Sequence, residues 1–389
     1  MRVAIVAGPH IPVPPPLYGG TELVIAHLVR GLLELGHEPI LLAPGDSHVD
    51  CELVPICERA IGFPRRRRDL EAHEALRAEI EQRTGRELRR LLPRVDLVHS
   101  HGFDLIDFQD FPNLTTLHGA IGFNQLAYYL ERKNLYYVSI SRNQQGACPD
   151  LQYVGVVYNG EDPEPYPIVE EPDDYVCFLG RFDREKNPHL AIQLAVNLGI
   201  PIRLAGKIDF QGEGYFEEEV EPYLSHPLVE FLGELRFDEK VELLAHARCN
   251  LHPTGFREPF GLTVLEAAFC GTPTLAIARG SMPELIEVGR TGMLVEDFVE
   301  GYHQIEQCFE LDRVYIAHRS RALFNYKTMT KQYLRAYERV IQIFETRREQ
   351  DRLIRSLAAD AKSDLESIWE EASRASEGGA VGERTSASS

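Results

Sequence analysis

Short apolar runs alternate with amphipathic stretches of helical period along most of the chain, which predicts parallel sheets covered by helices on both faces. Val3–Ala7 is a continuous apolar run, as a central parallel strand requires. A proline-rich loop, Pro9–Tyr18, follows it, then Gly19-Gly20, with Thr21 as the expected N-cap of a helix reaching about Leu35. Gly36 stops that helix, and Pro39–Ala43 reads as the next strand. Residues 65–92 are charged and helical, and Asp96–Ser100, Asn113–Leu117 and Tyr136–Ile140 are further strands.

A second alternation begins after residues 161–174, EDPEPYPIVEEPDD, an acidic and proline-rich linker. Its strands are Tyr175–Leu179, Ile202–Ala205, Val229–Leu232, Cys249–His252, Thr274–Ile277 and Met293–Val295. Leu190–Leu198 and Lys240–His246 are helices between them. The expected division is therefore an N-terminal domain over 1–160, a linker over 161–174, and a second domain over 175–327. C-terminal helices take up 328–372, the first over 328–345. Leu353, Leu357, Ala361, Leu365 and Ile368 recur at near-helical spacing beside Trp369, which reads either as a packing helix or as the seam of a homodimer. From Ser373 the Ser-, Gly- and Glu-rich tail, 373–389, is expected to be disordered.

Charge and cysteine usage narrow the classes. A net charge of −19 argues against a nucleic-acid binder, which needs a basic face, and limits membrane association to a peripheral kind at most. The seven cysteines are scattered with no C-x2-C pair, which argues against structural zinc and suits the reduced thiols of a cytoplasmic enzyme. No leader with an apolar core precedes the first strand, and no apolar run is long enough for a transmembrane helix.

The chemistry concentrates in GFREPFGLTVLEAAFCGTP, Gly255–Pro273. Glu258 and Glu266 bracket a Pro-Phe-Gly turn that opens an apolar helix. The first N–H groups of a helix lack internal partners and lie at the positive end of its dipole, so Phe260, Gly261 and Leu262 offer an anion site suited to a diphosphate. Glu266, about one turn in, can accept from ribose hydroxyls. In FLGRFDREKNP, Arg181 and Lys186 follow a strand end and precede a helix start at Pro188, a pair of cations able to clamp phosphate. Gly19-Gly20 offers backbone N–H groups at another helix start, without the G-x-G-x-x-G dinucleotide fingerprint. His118, His101 and Asp104 stand just beyond strand ends, and Ser141-Arg142 opens a helix, where Ser141 serves equally well as a cap. The arginines at 65–68 read as a solvated loop.

These motifs together resemble the retaining glycosyltransferases of family 4, over about residues 1–345. Glu258 and Glu266 match that family's E-x7-E segment, Arg181 and Lys186 its GR…K signature, and Gly19-Gly20 its glycine-rich first loop. Gly280, Ser281 and Glu284 resemble a loop near its donor, and Asn159-Gly160 its NG turn. The resemblance implies an α/β GT-B fold, two Rossmann-like doubly wound domains facing a cleft. It implies that Glu258 holds the donor sugar, Glu266 the ribose, and His118 the region of the reacting centre. His101, Asp104, Ser141 and Arg142 would face the acceptor. The partners implied are a nucleotide diphosphate sugar, UDP-glucose before GDP-mannose, and a hydroxyl acceptor. No cofactor is expected.

Glu258 and Glu266 are eight positions apart, about 12 Å at helical rise, too far for the paired carboxylates of a covalent double displacement, which stand about 5 Å apart. The resemblance implies instead a front-face reaction, with the leaving diphosphate helping to deprotonate the acceptor, and no metal is expected. A nucleotide-sugar epimerase of similar architecture, a non-catalytic sugar-nucleotide binder and, given the missing fingerprint, a dehydrogenase are the rival readings.

Overall fold

The computed structural model describes residues 1–17, 19–64, 66–208, 212–298 and 301–378. Two parallel sheets organise the chain. The first holds β1 (Arg2–Val6), β2 (Glu38–Ala43), β3 (Glu52–Pro55), β4 (Leu97–Ser100), β5 (Asn113–Leu117), β6 (Tyr136–Ser139) and β7 (Gln152–Val156), in the order β3-β2-β1-β4-β5-β6-β7. The second holds β8 (Val176–Leu179), β9 (Ile202–Ala205), β10 (Val229–Gly233), β11 (Cys249–His252), β12 (Thr274–Ile277) and β13 (Gly292–Val295), in the order β10-β9-β8-β11-β12-β13. In each sheet the strand order reverses beside the first strand, β1 next to β4 and β8 next to β11. Ligands of open α/β sheets bind beyond the carboxyl ends of strands at such a switch point. This is the two-domain, Rossmann-like GT-B fold.

The central strands are fully buried because helices cover both faces. Val3, Ala4, Ile5 and Val6 are all 0% exposed, as the continuous apolar run predicts. Edge strands β3 and β7 have no such run; ELVP is half-exposed and QYVGV carries polar positions, and the sequence reading passes over both.

Three boundaries differ from expectation. The helix expected from Thr21 is Gly20–Glu34, and Gly19 rather than Thr21 is its N-cap. A Cβ on Gly19 would stand 2.6 Å from Pro15, so the proline loop packs against this position too closely for a side chain. The C-terminal helices are one continuous helix, Tyr326–Gly378, of 53 residues. The charged stretch TRREQDR between the two expected pieces contains no glycine or proline to stop it. The expected disorder from Ser373 gives way to helix as far as Gly378, and the rest of the tail lies outside the described residues.

Residues Met1–Val340 form one compact unit that contains both sheets, and Ile341–Ser389 forms a second. Within the first unit, the opening turns of the last helix pack on the first sheet. Tyr326 OH donates to Glu34, Thr330 stands over Gly31, and Tyr333 and Tyr337 reach Thr116 and His99. Among the described residues no helix is long and apolar enough to cross a membrane.

Candidate active site

A cleft of about 440 Å³ opens between the carboxyl ends of the two sheets. From the first sheet it takes the Gly19–Leu23 turn and His118; from the second, Gly180, Arg181, Lys186, Glu258 and Pro259–Thr263, with Glu266. Every residue assigned to the donor or to catalysis from the sequence thus lines this one cleft.

Glu258 is held from two sides. Its Oε1 accepts from Lys186 Nζ at 2.5 Å, and its Oε2 lies 2.7 Å from His252 Nε2 at the end of β11. Burial pushes this carboxyl toward its neutral form, but Lys186 and His252 outweigh burial and hold it well below the usual carboxylate range. Glu258 does not share a helix with Glu266. The helix starts at Leu262, and Gly261 before it has φ +97°, so the expected 12 Å of helical rise does not describe the pair. Gly261 is required twice over, since a Cβ there would also stand 2.7 Å from Met282.

Glu266 is 4% exposed, and its Oε1 accepts from Lys240 Nζ on the helix Phe237–His246. Phe260 is 2% exposed and anchors the turn from below. Arg181 makes ion pairs with Asp183 at 2.8 Å and with Glu185 at 3.3 Å. Across the cleft, a Cβ on Gly20 would lie 2.8 Å from Leu262 Cδ1, so the Gly19-Gly20 turn packs closely against the glutamate-bearing helix.

His118 Nε2 lies 2.8 Å from His101 Nδ1, and the His101 ring stands 4.1 Å, centroid to centroid, from His99. His99 is bonded to Tyr337 OH at 2.8 Å and to Thr116 Oγ1 at 2.7 Å. Burial lowers all three histidines, His118 to about 4, so the cluster is neutral at physiological pH.

The four acceptor candidates separate. His101 and Asp104 line a smaller cavity of about 170 Å³ that shares His118 with the main cleft. There Asp104 is tied to Arg132 at 2.7 Å. Ser141 and Arg142 line neither cavity. Ser141 Oγ caps its helix by accepting from Gln144 N, and the Arg142 and Asn143 N–H groups each donate at 2.8 Å to Glu284, which comes from the second sheet's side. Glu284 is thus a link between the two halves. Lys240, Lys207, His252 and Glu234 escaped the sequence reading. His252 could have been found, because it ends a strand six residues before Glu258; Lys240 carries no such signal.

Among the described residues no group of three or more His, Cys, Asp and Glu side chains stands together to hold a metal.

Residues 18–148 match the model of Glycosyltransferase Family 4, and residues 162–307 match that of Glycosyl transferases group 1. The chain is a GT-B glycosyltransferase of the family 4 type. It is 25% identical over 345 residues to glycogen synthase of Mycobacterium tuberculosis, covering 75% of this chain and 82% of that one. It is 30% identical over 192 residues to the D-inositol 3-phosphate glycosyltransferase of Mycobacterium avium, a match that takes in 44% of that protein. Among solved structures, AviGT4, a glycosyltransferase involved in avilamycin A biosynthesis, superposes with a TM-score of 0.64 at 26% identity, over 88% of this chain and 98% of that one. Anabaena HepE, solved with UDP and glucose, superposes with a TM-score of 0.66 at 17% identity, over 86% and 98%, and shares the fold.

Proposed function

We propose that this glycosyltransferase moves a hexose from a nucleotide diphosphate sugar, UDP-glucose before GDP-mannose, to a hydroxyl acceptor with retention at the anomeric carbon. The observation that carries the reading is the convergence of Lys186, Glu258, the Gly261 turn and Glu266 on one wall of the cleft, with His118 opposite. The presence of UDP and glucose in HepE supports the choice of donor.

In this reading the helix start at Leu262 and the cations Arg181 and Lys186 receive the diphosphate. Glu266 accepts from the ribose and Glu258 from the sugar. The bond from C1 to the phosphate oxygen breaks while the acceptor oxygen bonds to C1 on the same face. The acceptor's proton passes to the departing phosphate oxygen. The protein supplies position and charge stabilisation. A covalent glycosyl intermediate would need a carboxylate free beneath the sugar, and Glu258 is already bonded to Lys186 and His252. The cations and the helix start bring the positive charge that a divalent ion would otherwise supply. The cytoplasm is the expected compartment.

NMR of the product's anomeric proton, with and without EDTA, tests mechanism and metal together. An α-linked donor should give an α-linked product in both buffers. A β-linked product overturns retention, and loss of activity in EDTA overturns the metal-free clamp. Glu258→Gln should lower kcat more than nucleotide affinity, and Glu266→Gln should weaken UDP or GDP binding; the opposite pattern exchanges their roles.

A further inference from the structure

Glu161 is 1% exposed, although it opens the most acidic and proline-rich segment of the chain. Two crossings of the chain between the sheets meet at this residue. Glu161 forms a parallel bridge with Asn325, its N–H donates to Phe324 O at 3.1 Å, and its C=O accepts from Tyr326 N at 2.9 Å. Its side chain turns inward to the group that holds Glu266. Glu161 Oε2 accepts from Tyr166 OH at 2.9 Å, and Oε1 is buried with no hydrogen-bond partner. Two buried carboxylates, Glu161 and Glu266, therefore lie within electrostatic reach of one half-buried ammonium, Lys240, which donates to Glu266.

We propose that Glu161 and Lys240 are positioning residues that fix the place and charge of Glu266, and so set the affinity of the cleft for the nucleoside end of the donor. This inference rests on Glu266 being the ribose ligand. One ammonium cannot neutralise two buried carboxylates, so one of them is held neutral. Glu161 is that one: burial first, then Glu266, push it up to about 8, against the opposing pull of Lys240 and Tyr166. The other groups facing the cluster are Cys270 at the end of the Glu266 helix, with Arg321 beyond it, and His27 on the Gly20–Glu34 helix. While Glu161 is neutral, Lys240 belongs to Glu266 alone. When Glu161 ionises, it competes for Lys240 and places a like charge beside Glu266.

Titration of UDP and GDP by calorimetry at about pH 7 and 8.5 tests this, since the window brackets the Glu161 transition. The parent protein should bind several-fold more weakly at the higher pH, and Glu161→Gln should abolish that difference while binding at least as tightly at the lower. Lys240→Met should raise the donor KM about tenfold or more while changing kcat less, as loss of uniform binding does. An unchanged pH step in Glu161→Gln, or parent-like binding in Lys240→Met, overturns the inference. Glu266→Gln separates the two readings. If that variant binds nucleotide normally, the ribose assignment has failed; if it alone loses binding, only the coupling has failed.

Discussion

Lys186 Nζ donates to Glu258 Oε1 at 2.5 Å, joining across 72 residues of sequence the cation assigned to phosphate and the carboxylate assigned to sugar. Both side chains are only 13% exposed, so each is the other's main compensation for lost water. Removing one leaves the other charged and poorly solvated.

Lys186→Met and Glu258→Gln should each destabilise the fold by about 3 kcal/mol, while the double variant recovers part of that loss because no buried charge is left over. Each should lower turnover by about 10²–10³, the usual cost of a preorganised charge group. The Glu258 carboxyl is depressed in the folded state, so its contribution is present above the unfolded carboxyl range and disappears as pH falls. In Lys186→Met that carboxyl rises toward its ordinary value, and the acid limb of the rate profile should move to higher pH. Denaturant midpoints and a pH–rate series check both claims; unchanged turnover in Lys186→Met removes the clamp from the mechanism.

The neutral histidines His99, His101 and His118 should make the protein acid-sensitive. Their folded values lie below the unfolded value near 6.5, so the unfolded state binds more protons as pH falls. Their contribution is complete above that value and is lost as pH drops toward the His118 value of about 4. His118 alone corresponds to roughly 3 kcal/mol at most, at 1.36 kcal/mol per unit. Thermal melts between neutrality and about pH 5 should fall steeply in the parent and less steeply in His118→Asn. Parallel curves would mean that His118 is solvated.

Much of the fold, and the grouping of Lys186, Glu258 and Glu266 in one cleft, were legible because they depend on local signals. Buried strands announce themselves as apolar runs, and the Gly261 turn by its place before an apolar helix. Edge strands β3 and β7 lack that signal, since one face of each meets solvent or loop. The Glu161–Lys240–Glu266 cluster was hidden for another reason. Its members lie on the linker and two separate helices, and only the tertiary packing brings an acidic linker residue inside. The capping role of Glu284 on Arg142 and Asn143 is equally nonlocal.

Gly20→Ala tests the closeness of the cleft walls. The added Cβ meets the far end of a flexible leucine, so Leu262 can turn aside rather than the backbone shift. The fold should survive, but Leu262 is at the helix start assigned to the diphosphate. kcat/KM should fall about tenfold, equivalent to 1.4 kcal/mol, and Gly20→Ala with Leu262→Ala should recover most of it. If the double variant is no better than the single, the damage comes from the turn itself and not from the contact.

Tyr337→Phe addresses the last helix from within the first unit. Tyr337 OH is bonded to His99 Nδ1, and His99 in turn supports the His101 ring that contacts His118. Removing the hydroxyl leaves a buried ring nitrogen without its partner, at a cost of about 1–3 kcal/mol. A purely structural tyrosine would lower the melting temperature and leave the surviving enzyme unchanged. A tyrosine that positions His118 through this chain should also lower kcat measured well below the melting range, with donor KM little changed, because Glu266 and Lys186 stand on the other wall. Tyr333→Phe is the control. Its hydroxyl meets Thr116 Oγ1 at 3.0 Å, and Thr116 keeps its bond to His99 Nε2, so stability should drop with a smaller effect on kcat. Equal kcat in Tyr337→Phe and the parent would confine the last helix to holding the fold.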